Sequence, residues 1–291
     1  MKYYFVSDVH GEYTAFYDAL LDKGFDPQKD TLVVLGDSFD RGPDSWLILK
    51  FIMGCPHRLL VWGNHDLRLY QTMVERDVYG RTSFASHDYH NGMLETFKSF
   101  TGDPGLTDLN TARSIFITQF PERWELLKQF FKECVCALEW SDLVATHAWI
   151  PVQIIEKEPT LGYGSLSWMF PRVKYGYCPT WRKATAKEWD TAMWDNTQRL
   201  FNDGAFVPNK TLVVGHWHAW RLRANYEKIT YDKLEDIDFS MFVYQDKLIA
   251  LDPCSTVSHM VNVFVYETKE KPKKIREKSG EKGGLILKNS L

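Results

Sequence analysis

The sequence predicts an α/β fold in which a mainly parallel sheet is covered by helices. Three short apolar segments near the start of the chain, KYYFV, TLVVL and RLLVW, have the length and composition of buried strands. Two segments with helical periodicity, EYTAFYDALLDKG and PDSWLILKFIMG, lie between them. Strands that alternate with helices in this way are typical of βαβ units, whose strands run parallel.

Turn and cap residues set the limits of these elements. Gly24 ends the first helical segment, and Pro43 stands in the first turn of the second, where its missing N–H costs no hydrogen bond. A third helical segment, DLRLYQTMVERD, follows the third strand. In such sheets, binding sites form at the carboxyl ends of the strands.

The remainder of the chain is less regular. Residues 79–134 begin as loop and then contain the amphipathic helix PERWELLKQFFKEC, which predicts a helical insertion or cap. VCALEWSDLVATHA predicts a hairpin that turns near Trp140, and an irregular Trp-rich segment covers residues 150–210. Further strands are predicted in three segments, TLVVGHWH, MFVYQDKLIAL and VNVFVYE. The last two are expected to be antiparallel strands that complete the sheet. The charged residues 267–291 predict a mobile tail, with a phosphate- or partner-binding arm as the alternative.

Composition and charge argue against several classes of protein. The net charge of −3 gives no general attraction to nucleic acid or membrane, and no window approaches 18 consecutive apolar residues. MKYYFVSD has no apolar stretch typical of a signal peptide. The five cysteines show no repeated CxxC spacing and are interpreted as free thiols. We therefore expect a soluble cytoplasmic protein with neither a membrane nor a nucleic-acid partner.

Asp, Asn and His recur where the predicted strands end. In chain order the strand-end residues are Asp8, His10, Asp37, Asn64, His65, Asp66, His147, His216 and His218. Each one alone is more often a cap or a structural residue, but independent caps do not account for the whole series. These side chains offer oxygen and nitrogen ligands for Mn²⁺, Fe²⁺ or Zn²⁺. Asp37, at the end of the second strand, could bridge two ions about 3.5–4 Å apart, and such a pair can hold a phosphate.

Five motifs follow one another between residues 8 and 218. In chain order they are DVHG, GDSFDRG, GNHD, the His of VATHA, and GHWH. As an ordered set they resemble the calcineurin-like metallophosphoesterases. DVHG, DRG and GNHD are similar to the phosphoprotein phosphatase branch, which includes bacterial and phage protein phosphatases and symmetrical diadenosine tetraphosphate hydrolases. The resemblance implies an α/β (α+β) fold, a four-layer α/β/β/α sandwich with two mixed sheets and a helical insertion, over residues 1–266.

The resemblance also implies two divalent metal ions, with Mn²⁺ expected and Fe or Zn as alternatives. The implied ligands are Asp8, His10 and Asp37, with His218 as an additional contact, for the first ion, and Asp37, Asn64, His147 and His216 for the second. A hydroxide between the ions would be the nucleophile. His65 would be the general acid, oriented by Asp40, and Arg41 would grip the phosphate. Asn64 and His65 would also contact the substrate.

Four positions depart from the family pattern. Asp66 stands where protein phosphatases usually carry Glu, and Trp149 is expected to narrow the groove beside the metals. A second phosphate-binding arginine is in doubt, because MWDNTQR offers only Asn196 or a displaced Arg199. Asp252 is expected either to support the metal ligands or to cap a turn.

The leading hypothesis is a dinuclear metal-dependent phosphoesterase that acts on phosphomonoesters, as a serine/threonine-type protein phosphatase. A hydrolase of dinucleoside polyphosphates is the first alternative. In that case aromatic side chains of the variable segments would stack on bases, with these candidates: Trp168, Phe170, Trp181 and Trp189. A non-catalytic binding protein on the same scaffold is the second alternative, although every predicted ligand is present.

Overall fold

Two mixed β-sheets form the centre of this computed structural model, which describes residues 1–75, 84–157 and 173–278. The strands are β1 (Lys2–Val6), β2 (Thr31–Val34), β3 (Arg58–Leu60), β4 (Ala137–Glu139), β5 (Leu143–Thr146), β6 (Val152–Lys157), β7 (Val173–Tyr177), β8 (Thr211–Val214), β9 (Phe242–Tyr244), β10 (Leu248–Ala250), β11 (Phe264–Glu267) and β12 (Lys273–Ile275). The first sheet has the order β11–β1–β2–β3 and the second β12–β4–β5–β8–β10–β9, while β6 and β7 form a separate hairpin. In the first sheet only β11 is antiparallel, and in the second β5, β8 and β10 are parallel.

Helices cover the outer faces of both sheets. They are α1 (Tyr13–Asp22), α2 (Ser45–Gly54), α3 (Asn64–Tyr70), α4 (Ser86–His90), α5 (Met93–Thr101), α6 (Leu109–Gln119), α7 (Pro121–Glu133), α8 (Ala186–Met193), α9 (Thr197–Asp203), α10 (Ala219–Glu227) and α11 (Ser255–Ser258). A π-helical turn (Gln71–Glu75) continues α3, and short 3₁₀ turns cover Trp181–Lys183 and Leu234–Asp236. No helix in the described residues has the length and apolarity to cross a membrane.

Strand alternation creates the layers. Along β1, the side chains of Tyr3 and Phe5 lie between the two sheets, and those of Tyr4 and Val6 pack against the helices outside the first sheet. Trp140, from the turn after β4, closes the space between the sheets, with its ring 5.2 Å from that of Tyr3 and 5.5 Å from that of Phe5. The expected sandwich of two mixed sheets between helices is confirmed.

The loops that follow the parallel strands interlock at one edge of the sandwich. After β1 and β2, the N–H of Asp8 donates to the carbonyl of Gly36 (3.2 Å), and the N–H of His10 donates to that of Asp37 (3.0 Å). In the second sheet the N–H of Gly215 donates to the carbonyl of His147 (2.6 Å). Backbone hydrogen bonds therefore join the strand-end motifs within each sheet, and the N–H of His216 donates to Asp8 Oδ2 (2.8 Å) between the two sheets.

Helices α4 to α7 occupy the described part of the expected insertion, and residues 79–83 of that range lie outside the described residues. The base of the insertion is tied to the sheet by Arg58 of β3 and Glu133 of α7. The guanidinium donates twice to the carboxylate, at 2.9 and 2.6 Å. A planar bidentate pair of this kind fixes direction as well as distance.

The expected tail is corrected for residues 267–278. Strand β12 pairs antiparallel with β4 and extends the second sheet, and Ile275 is buried against the sheet. Its charges predict mobility, but pairing with β4, the buried side chain of Ile275 and a hydrogen bond from Arg276 Nη1 to the carbonyl of Cys134 (3.1 Å) hold it in place. Residues 279–291 lie outside the described part of the chain.

Glu139 of β4 joins this sheet to two distant cations. Arg182 donates to both carboxylate oxygens, from Nε at 2.7 Å and from Nη2, and Lys210 Nζ lies 3.0 Å from Oε1. These hydrogen bonds, with that of Arg182 first, lower the pKa of Glu139 from 4.5 to about 2. The folded protein therefore keeps this carboxylate charged at a pH where the unfolded chain protonates it.

We predict that Glu139→Gln removes a pH-dependent part of the stability. In the wild type this contribution is complete above about pH 4.5 and is lost as the pH falls toward 2. The difference in the free energy of unfolding between wild type and variant should therefore shrink over that range, as measured by urea denaturation. Glu235→Gln, at an exposed carboxylate, is the control. A Glu139→Gln curve parallel to that of the wild type would contradict the prediction.

Candidate metal centre

The backbone at the site is held in left-handed conformations. The residues concerned have φ between 46° and 69°: Asp8, His10, Asp37, Asp40, Arg41 and His216. Each such conformation costs a non-glycine residue about 1–3 kcal/mol, and it persists only where the surrounding structure enforces it. Conformational strain is therefore concentrated at the strand-end motifs.

Two glycines allow the motifs to approach one another. A Cβ on Gly63 would lie 2.2 Å from both the backbone nitrogen and Oδ1 of Asp37. A Cβ on Gly215 would lie 1.8 Å from Ser7 Oγ and 2.1 Å from Asp8 Oδ2. The close contact between neighbouring strand ends of the first sheet at Gly63, and between the two sheets at Gly215, thus requires glycine at both positions.

The carboxylate of Asp37 is shared between two sets of metal-ligating groups. One set is His10, Asp37 and His65, the other is Asp37, His147 and His216, and in each the ligand atoms lie within 4.8 Å of one another. Asp37 Oδ2 lies 3.6 Å from His10 Nε2, and Oδ1 lies 3.4 Å from His147 Nε2. This is the arrangement expected of a carboxylate that bridges two cations.

Backbone carbonyls orient two of the imidazoles. The Nδ1–H of His10 donates to the carbonyl of Phe39 (2.8 Å), and that of His147 donates to the carbonyl of Leu35 (2.7 Å). Because a carbonyl oxygen can only accept, Nδ1 carries the proton in both rings and Nε2 is directed toward Asp37. Fixing the outer nitrogen in this way is how proteins prepare a histidine for metal binding.

The charges at the site also fit divalent ions. Burial lowers the pKa of His10 well below its usual value, that of His216 to about 3 and that of His218 to about 4, so these imidazoles are neutral and have a free lone pair. Burial would lower the pKa of His147 too, but the charge of Asp37 outweighs it and raises the pKa to about 10. The Asp37 carboxylate therefore attracts positive charge strongly.

Further buried carboxylates surround Asp37. Burial, followed by the charge of Asp37, raises the pKa of Asp8 to about 6 and that of Asp66 to about 7. Burial and the charge of Asp8 raise the pKa of Asp252 as well. Carboxylates crowded in this way are stabilised by bound cations, so the donor set fits the divalent ions that the sequence predicts.

Not every predicted ligand joins the two sets. Asp8 Oδ2 accepts hydrogen bonds from Ser7 Oγ (2.5 Å) and from the N–H of His216 (2.8 Å). His218 Nε2 lies 3.9 Å from Asp252 Oδ2, and its buried Nδ1 has no hydrogen-bond partner in the structure. His65 lies with His10 and Asp37 in the first set. Asn64 Oδ1 lies 2.8 Å from His147 Nε2, on the side of the second set.

The predicted catalytic residues form a hydrogen-bonded chain. The Nδ1–H of His65 donates to Asp40 Oδ2 (2.9 Å), and Arg41 Nη2 donates to His65 Nε2 (3.0 Å). Asp40 and His65 are buried, whereas Arg41 is exposed. Burial would lower the pKa of His65, but the charges of Asp37 and Asp40 outweigh burial and raise this pKa above its usual value.

The structure gives a different outcome for each position that departs from the family pattern. The expectation for Trp149 is wrong, because the indole is fully buried and donates to the carbonyl of Ala205 (3.0 Å). Asp66 Oδ1 accepts from the N–H of Ser38 (3.1 Å). Asp252 Oδ1 accepts from the N–H of Cys254 (2.7 Å) and so caps the turn, while Oδ2 lies 3.9 Å from His218 Nε2.

The two side chains offered for a second phosphate clamp, those of Asn196 and Arg199, are engaged in other contacts. Arg199 donates to the carbonyl of Val173 (2.6 Å) and lies over the ring of Tyr175. The side chain of Asn196 caps α9. Neither residue therefore supplies the second phosphate clamp.

The proposed base-stacking aromatics are corrected in part. Trp181 and Trp189 are fully buried beneath the second sheet, with their rings 6.0 Å apart, and present no face to a ligand. Trp168 and Phe170 lie outside the described residues. Sequence reasoning passed over Trp194, which is half exposed with its ring 6.5 Å from that of His216.

Two further residues near the catalytic chain were also missed. Thr96 of α5 contacts Asp40, and Gly92, just before α5, contacts Arg41. The HNG turn signal marks Gly92 in the sequence, but no pattern connects Thr96 with a residue 56 positions away.

We predict that Asp37→Asn weakens binding of both ions by more than about 100-fold, since losing even an outer partner of a ligand costs about 10–100-fold. Chelator-treated protein would be dialysed against Mn²⁺ and its metal content measured by mass spectrometry. The wild type should hold two ions and the variant none. Asp26→Asn, which alters a surface carboxylate paired with Lys29, should match the wild type. Two tightly bound ions in Asp37→Asn would exclude the bridging role.

Comparison with known proteins places this site in a family. The model of the calcineurin-like phosphoesterase family matches residues 1–250. A symmetrical bis(5'-nucleosyl)-tetraphosphatase from Buchnera aphidicola subsp. Acyrthosiphon pisum (strain 5A) is 41% identical over 70 residues, which cover 24% of this chain and 26% of the relative. One from Edwardsiella ictaluri (strain 93-146) is 46% identical over 66 residues, covering 22% of this chain and 23% of the relative.

Among solved structures, that of a putative diadenosine tetraphosphatase aligns with a TM-score of 0.46 and 15% identity, over 91% of this chain and 89% of that one. The matches to the two tetraphosphatases from Buchnera and Edwardsiella cover only about a quarter of those proteins' own length. The family match extends over most of the chain and over every predicted metal ligand. The chain belongs to the calcineurin-like phosphoesterase family.

Proposed function

We propose that this chain is a metal-dependent phosphoric ester hydrolase with two divalent ions, Mn²⁺ first among the candidates. The observation that carries the proposal is the position of Asp37 between two sets of ligands, beside the chain of Asp40, His65 and Arg41. A metal site that serves only structure does not need a hydrogen-bonded Asp–His–Arg chain beside it. A structural His–Asp pair, in turn, does not need a carboxylate placed between two sets of metal ligands. Together they suit hydrolysis at phosphorus.

The residues divide into two ligand sets. His10 and Asp37, with Asp8 and His218 nearby, would hold the first ion, and Asp37, Asn64, His147 and His216 the second. When bound, such ions supply Lewis acidity and neutralise charge on the phosphate. The carbonyls of Leu35 and Phe39 keep the imidazoles oriented for this task.

Arg41, His65 and Asp40 act on the substrate side. The exposed guanidinium of Arg41 binds phosphate oxygens, for which its planar fork is suited. In doing so it leaves His65 Nε2, which can then take up a proton from solvent and pass it to the departing oxygen. Asp40 accepts from Nδ1–H throughout and stabilises the cationic ring.

Phosphomonoesters, above all phosphoserine and phosphothreonine in proteins, are the first substrate candidates. Within residues 1–75, 84–157 and 173–278, Arg41 is the arginine that contacts the catalytic histidine, and Arg199 is engaged elsewhere. One arginine suits a single terminal phosphate.

The free thiols of all five cysteines support a cytoplasmic location.

Dinucleoside tetraphosphates are the second candidate. The names of the relatives from Buchnera and Edwardsiella point to them. The exposed indole of Trp194 beside His216 offers a surface on which a base could stack. Arg221, whose charge with that of Arg41 helps to lower the pKa of His218, offers a second cation for a longer phosphate chain.

The test is hydrolysis by chelator-treated protein to which Mn²⁺ is returned. p-Nitrophenyl phosphate, a phosphothreonine peptide and diadenosine tetraphosphate would be compared at equal concentration. Release from the peptide at the highest kcat/KM supports the first candidate, and cleavage of the dinucleotide alone supports the second. Binding of two ions without turnover of any substrate would overturn the proposal in favour of a non-catalytic binding protein.

We predict that His65→Asn lowers kcat for an alkyl phosphate by about 10²–10⁴-fold and for p-nitrophenyl phosphate much less, because nitrophenolate departs without a proton donor. Metal content, measured on the same samples, should stay at the wild-type value. Equal losses for both substrates would exclude the acid role. A loss of one ion would instead make His65 a ligand, as its grouping with His10 and Asp37 allows.

A further inference from the structure

We propose that Thr96, in helix α5 of the insertion, is a positioning residue for the Asp40–His65 pair, an inference that rests on the proposed function. Thr96 lies 56 residues from Asp40 along the chain and is fully buried beside it. It touches no metal-ligating group in the contacts that the structure describes. Its influence on the reaction passes through Asp40.

Thr96 and Asp40 are joined by two hydrogen bonds. The hydroxyl of Thr96 donates to Asp40 Oδ1 (2.8 Å), and the same oxygen accepts from the backbone N–H of Asp40 (2.8 Å). The other carboxylate oxygen, Oδ2, accepts from His65 Nδ1–H. With one oxygen held by Thr96 and the backbone held as well, the carboxylate has one orientation left, and in it Oδ2 faces His65.

This support is needed because Asp40 is in an unfavourable position. Its φ is 69°, and its carboxylate is buried without a contact to lysine or arginine among the described ion pairs. A buried carboxylate needs hydrogen bonds at both oxygens. Thr96 supplies the bond at Oδ1 and, through the backbone N–H, also opposes relaxation of the strained turn.

The insertion holds the neighbouring groups in the same way. The N–H of Arg41 donates to the carbonyl of Gly92 (3.3 Å), and a Cβ on Gly92 would lie 2.4 Å from the nitrogen of Arg41. Arg68 of α3, the helix that carries His65, pairs with buried Asp88 of α4 at 2.7 and 2.8 Å. The insertion is thus fastened to both the turn and the helix that together form the catalytic pair.

The consequence concerns proton donation. Without the Thr96 hydroxyl, Asp40 Oδ1 loses its partner and the carboxylate is free to turn away from His65. The imidazole then loses the group that fixes its tautomer. Hydrolysis should slow most where the leaving oxygen needs a proton, and the metal ligands should be unaffected.

The test compares Thr96→Val, which keeps the shape and removes the hydroxyl, with Thr96→Ser, which keeps the hydroxyl. Thr101→Val is the matched control, because Thr101 is also buried in α5 but its hydroxyl bonds to the carbonyl of Phe97 within the helix (2.8 Å). The rates for an alkyl phosphate and for p-nitrophenyl phosphate would be measured on the Mn²⁺-loaded protein. The melting temperature and the metal content would be recorded for each variant.

We expect Thr96→Val to lower kcat for the alkyl phosphate by about tenfold relative to p-nitrophenyl phosphate, with KM unchanged. Thr96→Ser should restore the ratio, and Thr101→Val should leave it at the wild-type value. A purely structural role would lower both rates together. An unchanged ratio in Thr96→Val, or the same change in Thr101→Val, would overturn the proposal.

A second measurement does not depend on activity. The Nδ1–H proton of His65, assigned by its loss in His65→Asn, should give a downfield nitrogen-correlated NMR signal in the wild type and in Thr96→Ser. In Thr96→Val it should shift upfield or vanish through exchange. If the wild type hydrolyses no phosphoester, the proposed function fails, and this signal still decides the link between Thr96 and Asp40. An identical signal in Thr96→Val excludes that link.

Discussion

The structure depends above all on one buried carboxylate, that of Asp37. Burying an anion costs several kcal/mol unless positive charge and hydrogen bonds replace water. Here the replacement comes from histidines of both sheets and from the backbone N–H of His65. Left-handed turns and the absence of a side chain at Gly63 bring these groups within reach. The sandwich can therefore be understood as a scaffold that brings predicted metal ligands to this carboxylate from four other chain segments, those that follow β1, β3, β5 and β8.

The helical insertion is part of this scaffold. Its helices cover the first sheet, but they also contact the turn that carries Asp40 and Arg41. The predicted metal ligands lie at strand ends, whereas the hydrogen bond at Asp40 Oδ1 comes from Thr96 of helix α5. We therefore expect that substitutions in α5 can change proton donation without changing metal binding.

Much of the site was predictable because its signals are local. Strands ending in Asp or His, with glycine beside them, are visible within a few residues, and the order of the motifs identified the family and the sandwich. Thr96 was not predictable, because its contact joins positions far apart with no periodic pattern. Trp149, Trp181 and Trp189 were misjudged since an aromatic residue in an irregular segment looks the same whether it is buried or exposed. The pairing of β12 was missed because charged residues masked one buried isoleucine.

The central claim is that Asp37 joins two metal ions. The most direct measurement is anomalous diffraction from crystals of the protein soaked in Mn²⁺. The account predicts two peaks about 3.5–4 Å apart, one on the side of His10 and one on the side of His147, with a carboxylate oxygen of Asp37 within bonding distance of both. A single peak, or two peaks of which one lies beyond the reach of Asp37, would contradict it.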